Sequence, residues 1–257
     1  MGERVLKTIS PSQPSTDDKI DADAVSSVQI VRTLTPNRFK ILPLPEGETE
    51  TIAEEMIEIE KMEKLKDGEK GIHEAYLRAI ANAEDFIYLE NQYFTSDTIG
   101  DALIEAMKAK PQLQVIMLLN IKPDLPLAPW KQRRLITRIR KAVPEPPEGQ
   151  RPRFGVFTRW THETTADIFP KAKKPRILSI YLHSKVAVVD NKWATIGSAN
   201  LDGWSLDSSI ISDIFRPFFG NQEQRAIEAN ALMFNGVDGL TSTDIVDKLR
   251  RRLWAEH

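Results

Sequence analysis

The feature that most restricts how this chain can fold is a repeated change of period. Short apolar runs suited to strands alternate with stretches whose apolar residues return every three or four positions. Val28–Leu34 alternates apolar and polar residues as a half-buried strand does. Phe86–Leu89, Phe154–Phe157, Ile177–Leu182, Lys185–Val189, Trp193–Ile196 and Ile227–Phe234 read as further strands. Leu113–Leu119 is apolar but for Gln114, as expected of a central strand covered on both faces. Between these runs, Gly71–Ala83 sets Ile72, Ala75, Tyr76, Ala79 and Ile80 on one helical face, and Ser96 or Asp97 can cap a helix containing Leu103, Ile104 and Met107. Helices are also expected over 131–141, which holds six basic residues and no acidic one, and over Thr243–Trp254. Strands interleaved with helices predict an α/β fold, a mixed β-sheet sandwiched between helices in αβα layers.

At 257 residues the chain can bury a large core. Residues 1–27, rich in Ser, Asp, Thr and Pro, are expected to form a flexible polar arm ahead of one unit over 28–257. Glu46–Glu69 carries ten acidic and three basic residues, with Ile52, Met56, Ile59 and Met62 at helical spacing, so an acidic amphipathic helix is expected at 48–68. The absence of Cys removes disulfides, thiolate metal sites and cysteine nucleophiles. A net charge of −2 does not suit a dedicated nucleic-acid binder. No run approaches the ~18 apolar residues of a spanning helix, and the first 27 residues lack the order of a signal peptide. Any membrane contact is expected to be peripheral, or to be made by something missing from this chain.

One region is built for chemistry: Tyr181-Leu182-His183-Ser184-Lys185-Val186-Ala187-Val188-Val189-Asp190, followed by Ile196-Gly197-Ser198-Ala199-Asn200. On a strand, residues two apart share a face, so His183 and Lys185 are expected to point one way and Asp190 the other. An imidazole that titrates near neutrality beside a fixed ammonium suits attack on, or protonation of, a phosphate ester. Gly197 allows a sharp turn, and Ser198 and Asn200 can add neutral hydrogen bonds to the phosphoryl oxygens. Asp190, on the far face, is read as a structural carboxylate that anchors backbone or a neighbouring basic group. Glu90 and Asn91, at the end of a strand, are expected to help shape a substrate pocket.

The spacing His-x-Lys-x4-Asp-x6-Gly-Ser-x-Asn resembles the HKD motif of the phospholipase D superfamily. Phe86-Ile87-Tyr88-Leu89-Glu90-Asn91-Gln92-Tyr93-Phe94 is similar to the family's IYIENQYF segment, and Val28-Gln29-Ile30-Val31-Arg32-Thr33 to its VQVVRT strand. Asn235–Gly239 and Leu249–His257 resemble the closing segments of bacterial and plant-type phospholipases D, so the likeness spans residues 28–257.

That resemblance implies two HKD motifs facing one another. One histidine attacks phosphorus to give a phosphohistidine, and the other protonates the leaving alcohol and then activates water or an acceptor alcohol. Lysines and asparagines hold the phosphoryl oxygens, with no metal or other cofactor. This chain holds one such motif, since none of His73, His162 and His257 is followed two residues later by Lys. It therefore resembles the C-terminal half of such an enzyme, with His183 as general acid/base, or with both roles if two copies pair. The implied function is phosphodiester hydrolysis or transphosphatidylation on a glycerophospholipid. The implied partners are a second HKD half (a missing N-terminal half or a homodimer mate) and a peripheral membrane surface, with no nucleic acid. Alternatives are a cardiolipin-synthase-like transferase, an endonuclease-like phosphodiesterase, or a catalytically silent half that binds lipid or a partner. By the same resemblance Glu228 is the candidate acid that orients a catalytic histidine, with Asp207 its rival. Lys171, Lys173, Lys174, Arg176 and the basic 131–141 stretch read mainly as solvated cations, and Trp160 mainly as a core aromatic.

Overall fold

The computed structural model describes residues 27–34, 68–125, 127–144, 146–147, 149–163, 176–206, 226–235 and 245–256. Along the chain these form β1 (Ser27–Leu34), β2 (Glu69–Lys70), α1 (Gly71–Asn82), β3 (Phe86–Asn91), α2 (Asp97–Ala109), β4 (Gln114–Leu119), α3 (Ala128–Ala142), β5 (Phe154–Phe157), β6 (Trp160–Glu163), β7 (Arg176–Ser179), β8 (Lys185–Val189), β9 (Trp193–Gly197), β10 (Glu228–Phe234) and α4 (Ile245–Ala255). Eight strands make one mixed sheet in the order β2-β1-β10-β9-β8-β3-β4-β5, and β6 and β7 pair separately. β3, β4 and β5 run parallel to one another, and α2 and α3 supply the crossovers that parallel neighbours require. The other pairs in the large sheet are antiparallel.

The two faces of the sheet are unlike. One buries Ile87, Leu89, Val115, Met117, Leu119, Ala187, Val189 and Leu232 beneath α1, α2 and α3, which contribute Ile72, Tyr76, Ile80, Ile99, Leu103, Met107, Leu135 and Ile139. The helical spacing read in the sequence thus serves one layer, and each such side chain contributes roughly 1.5–3 kcal/mol by leaving water. Ser96 caps α2, its hydroxyl accepting from Ile99 N at 3.3 Å. The other face carries Tyr88, Val188 and Ala194, covered by α4 through Val246 and Trp254. Arg250 stacks on Trp254 and donates to Asn191 Oδ1 at 2.6 Å, which ties α4 to the β8–β9 turn. Val28, Ile30 and Ile196 on one side of α4 remain exposed on this second face, as does Phe157 on the other side, where it lines a pocket with Trp254.

The β8–β9 turn has positive φ at Asp190 (49°) and Asn191 (52°), residue types that tolerate the left-handed region and suit a tight hairpin. Two strand expectations need correction. Ile177–Leu182 is not a strand throughout: β7 ends at Ser179, and residues 180–184 carry no strand pairing. The two backbone groups of Leu182 bond instead to the side chain of Asn120, which displaces a strand ladder there. Trp160 is exposed at the start of β6, a strand the sequence reading missed, rather than packed in the core. Of the acidic helix expected at 48–68 only Gly68 is described, and Glu69, in β2 just after it, pairs with Arg32 of β1 at 2.7 Å. Of the polar arm expected at 1–27, Ser27 instead opens β1 and residues 1–26 lie outside the described residues, as do Asp207, Lys171, Lys173 and Lys174. Among the described residues no helix is long and apolar enough to cross a membrane.

Candidate active site

β8 begins at Lys185, so His183 sits in the segment leading into the strand and not on the strand itself. The expectation that both residues share one strand face is corrected accordingly. Their relation is closer than alternation alone would give: Lys185 Nζ donates to the His183 carbonyl at 2.7 Å. His183 is exposed at the lip, whereas Lys185 is only 6% exposed. Its ammonium makes a second bond to Gln92 Oε1 at 2.7 Å. Burial lowers the Lys185 pKa, partly offset by the negative charges of Glu228 and Asp202.

Asn91 is the register partner of Lys185. Its Oδ1 accepts from Tyr93 N at 3.2 Å and Leu201 N at 3.1 Å, which docks the segment bearing Asn200 onto the end of β3. Asn200 Oδ1 is buried and meets no hydrogen-bond partner among the described residues. An orphaned buried acceptor so close to the motif is the kind of group a bound ligand satisfies. Glu90 points to the opposite face of the sheet, where it accepts from Tyr88 Oη at 2.8 Å and from Ser184 Oγ. It therefore braces the segment carrying His183 from behind.

Ser198 is committed elsewhere. Its hydroxyl donates to Glu228 Oε2 and accepts from Ala229 N at 3.1 Å. Glu228 also accepts from Ser205 Oγ at 3.0 Å, and among the described residues no hydrogen bond joins it to His183. Asp202, beside this cluster, caps Ser205 N at 2.7 Å, and burial pushes its carboxyl above the ordinary aspartate value. Gly197 ends β9 without a positive φ, so the expected turn is not its reason. A Cβ there would lie 2.2 Å from Asn230 Oδ1 and 2.4 Å from the Ala229 carbonyl. The glycine admits a close approach of β10.

At the far end of β8, the Asp190 carboxylate accepts three backbone N–H groups, from Glu84 (2.6 Å), Asp85 (2.9 Å) and Phe86 (2.7 Å). It fixes the start of β3 and is remote from the lip.

Residues with no assigned role in the sequence reading complete the site. Asn120 Nδ2 donates to the carbonyls of Gln92 (3.2 Å) and Leu182 (2.8 Å), and its Oδ1 accepts from Leu182 N at 2.8 Å. Gln92 Nε2 donates to Tyr93 Oη at 2.9 Å and Tyr181 Oη at 2.7 Å. Both phenols donate to Asp124 Oδ1, at 2.8 Å from Tyr181, and these bonds hold the Asp124 carboxyl below the usual carboxylate range. Gln92 and Tyr93 stand inside the Glu-Asn-Gln-Tyr-Phe signature, which is the one signal that could have drawn attention to them. Asp124 lies in a loop with no such signal.

This geometry can be set beside known proteins. The profile of a family described as cardiolipin synthase, PLD-like domain, matches residues 76–210, just over half of the chain. Phospholipase D alpha 2 of Oryza sativa subsp. japonica is 25% identical over 241 residues, covering 74% of this chain and 28% of that protein. Phospholipase D C of Dictyostelium discoideum is 29% identical over 214 residues, covering 74% of this chain and 12% of that protein. The chain thus spans less than a third of the length of these relatives. Among solved structures, the phospholipase D family member Nuc from Salmonella typhimurium aligns with a TM-score of 0.43 and 16% identity, over 90% of this chain and 93% of that one.

Proposed function

Because the chain belongs to the phospholipase D superfamily, and within it to the PLD-like domain family of cardiolipin synthase, we propose that it contributes one half of an active site for phosphodiester cleavage on glycerophospholipids. The observation that carries this reading is the desolvated Lys185 ammonium. Two acceptors from the protein, Gln92 Oε1 and the backbone carbonyl of the exposed His183, take two of its three N–H bonds. Such a cation gains from an arriving phosphoryl oxygen more than a solvated one does.

In the proposed reaction one histidine attacks phosphorus, a P–N bond forms and the P–O bond to the leaving alcohol breaks. The opposed histidine supplies the proton that the alcohol takes. That histidine then removes a proton from water or an acceptor alcohol, whose oxygen displaces the first histidine from phosphorus. His183 is the acid/base when the other half brings its own nucleophile, and plays either part in a pair of identical copies. Asn200 Oδ1, without a donor among the described residues, can accept from the hydroxyl of water or of an acceptor alcohol, whereas a phosphoryl oxygen needs an N–H, as Asn91 Nδ2 still offers. A second half carrying another His-x-Lys pair is the required partner. The apolar side chains left open on the second sheet face, Val28, Ile30, Ile196 and Phe157, give it a surface to cover.

The description of the matched family favours a second reading, transfer of the phosphatidyl group to a lipid alcohol instead of water. The test incubates the purified chain with phosphatidylcholine and a primary alcohol, with His183→Ala as control. Where two copies complete the site, phosphatidyl alcohol is formed by wild type and is absent from the variant; where the second half lies on another chain, neither forms it until that half is added. Equal product from both overturns the assignment.

A further inference from the structure

Five hydrogen bonds connect the buried ammonium of Lys185 with the exposed carboxylate of Asp124, by way of Gln92, Tyr93 and Tyr181. Their direction follows from valence. An ammonium only donates and an ionised carboxylate only accepts. Tyr93 and Tyr181 each spend their single hydroxyl hydrogen on Asp124 Oδ1, so toward Gln92 each phenol oxygen can only accept. The group that meets them must carry N–H, and Gln92 Nε2 does so at 2.9 and 2.7 Å. The carboxamide is thereby turned with Oε1 toward Lys185 Nζ, at 2.7 Å. Flipped by half a turn, it would set its N–H groups against an ammonium and its carbonyl against two phenol oxygens whose hydrogens are already used.

We propose that Gln92 is the positioning residue for Lys185, and that the surface charge of Asp124, relayed by Tyr93 and Tyr181, locks the Gln92 carboxamide in the orientation that accepts from the ammonium. With the His183 carbonyl taking a second N–H, the lock leaves the third aimed at a ligand. Gln92 is buried and Asp124 exposed, so the network joins the floor of the site to its lip. A chain polarised by opposite charges at its ends is stronger than its separate bonds. Assigning the third N–H to a phosphoryl oxygen rests on the function proposed above, whereas the orientation of Gln92 does not.

Two readouts on the full chain separate these claims. The first is the side-chain ammonium resonance of Lys185 in 15N-labelled protein, assigned with Lys185→Met, and its exchange with water. The second is titration with inorganic phosphate. Asp124→Asn alters an exposed side chain that contributes nothing to the core, so it is expected to fold. It should speed exchange of the Lys185 ammonium and weaken phosphate binding about fivefold to tenfold, the scale of one ordinary hydrogen bond. Gln92→Leu should do the same or more. Gln92→Glu presents acceptors on both sides and has no orientation to lock, so it should restore slow exchange even when combined with Asp124→Asn. Unchanged exchange in both Asp124→Asn and Gln92→Leu would overturn the proposal, as would failure of Gln92→Glu to uncouple Lys185 from position 124. Wild-type protein that binds no phosphate would overturn the phosphodiester reading, while the exchange measurement would still decide the role of Gln92.

Discussion

At the scale of single residues, Asp190 and Asp202 show how differently two carboxylates can be used. Asp190 gathers the amides of Glu84, Asp85 and Phe86 at a backbone position with φ of 49°. Asp190→Ala removes all three acceptor contacts and adds left-handed strain, and should cost about 2–4 kcal/mol in urea denaturation. Asp190→Asn keeps an acceptor and tolerates that φ, so it should cost less than half as much. Asp202 is penalised by burial and its folded pKa is raised, so folding favours its protonated form. Its contribution is therefore best below the ordinary aspartate pKa of about 3.9 and is lost as pH rises through the folded value. Asp202→Asn retains an acceptor for Ser205 N but does not titrate. It should match wild type near pH 3.5 and exceed it at pH 7, a crossover measurable by thermal denaturation across that range. The structural use of Asp190 was readable from its seven-residue offset from His183 along an apolar strand. Asp202 was not, because nothing local distinguishes a carboxylate that later contacts will bury.

Among the elements, the segment 180–184 is the informative case. Its first residues, Ile180-Tyr181-Leu182, continue an apolar run that reads as strand, yet the Asn120 side chain takes both backbone groups of Leu182. Asn120→Ala should release the segment, giving faster amide exchange at Leu182 and His183 and a loss of activity greater than the loss of stability. Unchanged exchange would show that other contacts hold it. Gly197 marks the approach of β9 to the Asn230 side chain, so Gly197→Ala must push Asn230 Oδ1 and the Ala229 carbonyl aside. A cost of about 1–3 kcal/mol is expected by calorimetry, with displacement of the Ser198–Glu228 contact next to it. Strands β3, β4, β8 and β9 were legible because their apolar runs are buried on at least one face. β6 was missed because among the described residues Trp160–Glu163 pairs with β7 alone, outside the large sheet, and Trp160 and Thr161 are exposed, so burial imposes no period on them.

For the molecule as a whole, the unequal faces of the sheet matter most. Among the described residues three helices cover one face and a single helix covers part of the other, with Ile30 65% and Phe157 59% exposed. If that open face receives the second catalytic half, turnover should track the fraction of paired molecules. Sedimentation and activity measured over the same concentration range should then rise together. Ile30→Glu and Phe157→Glu, both at solvent-facing positions, should lower pairing and activity in proportion while leaving the melting temperature nearly unchanged. Full activity in a species sedimenting as a monomer would contradict this.

Local periodicity was enough to determine the α/β class and the order of most elements, because burial on a sheet or helix face imposes a period on neighbouring residues, and the His-x-Lys signature stood in the residue types themselves. The tertiary structure alone decided what those residues touch. Lys185 meets Gln92, Tyr181 meets Asp124, and Ser198 meets Glu228, each across a wide gap in sequence. A side chain's type states what it can donate or accept, but its partner depends on which distant segment the packing brings within about 3 Å. For that reason the motif was visible in the chain, while the network that orients it became visible only in the fold.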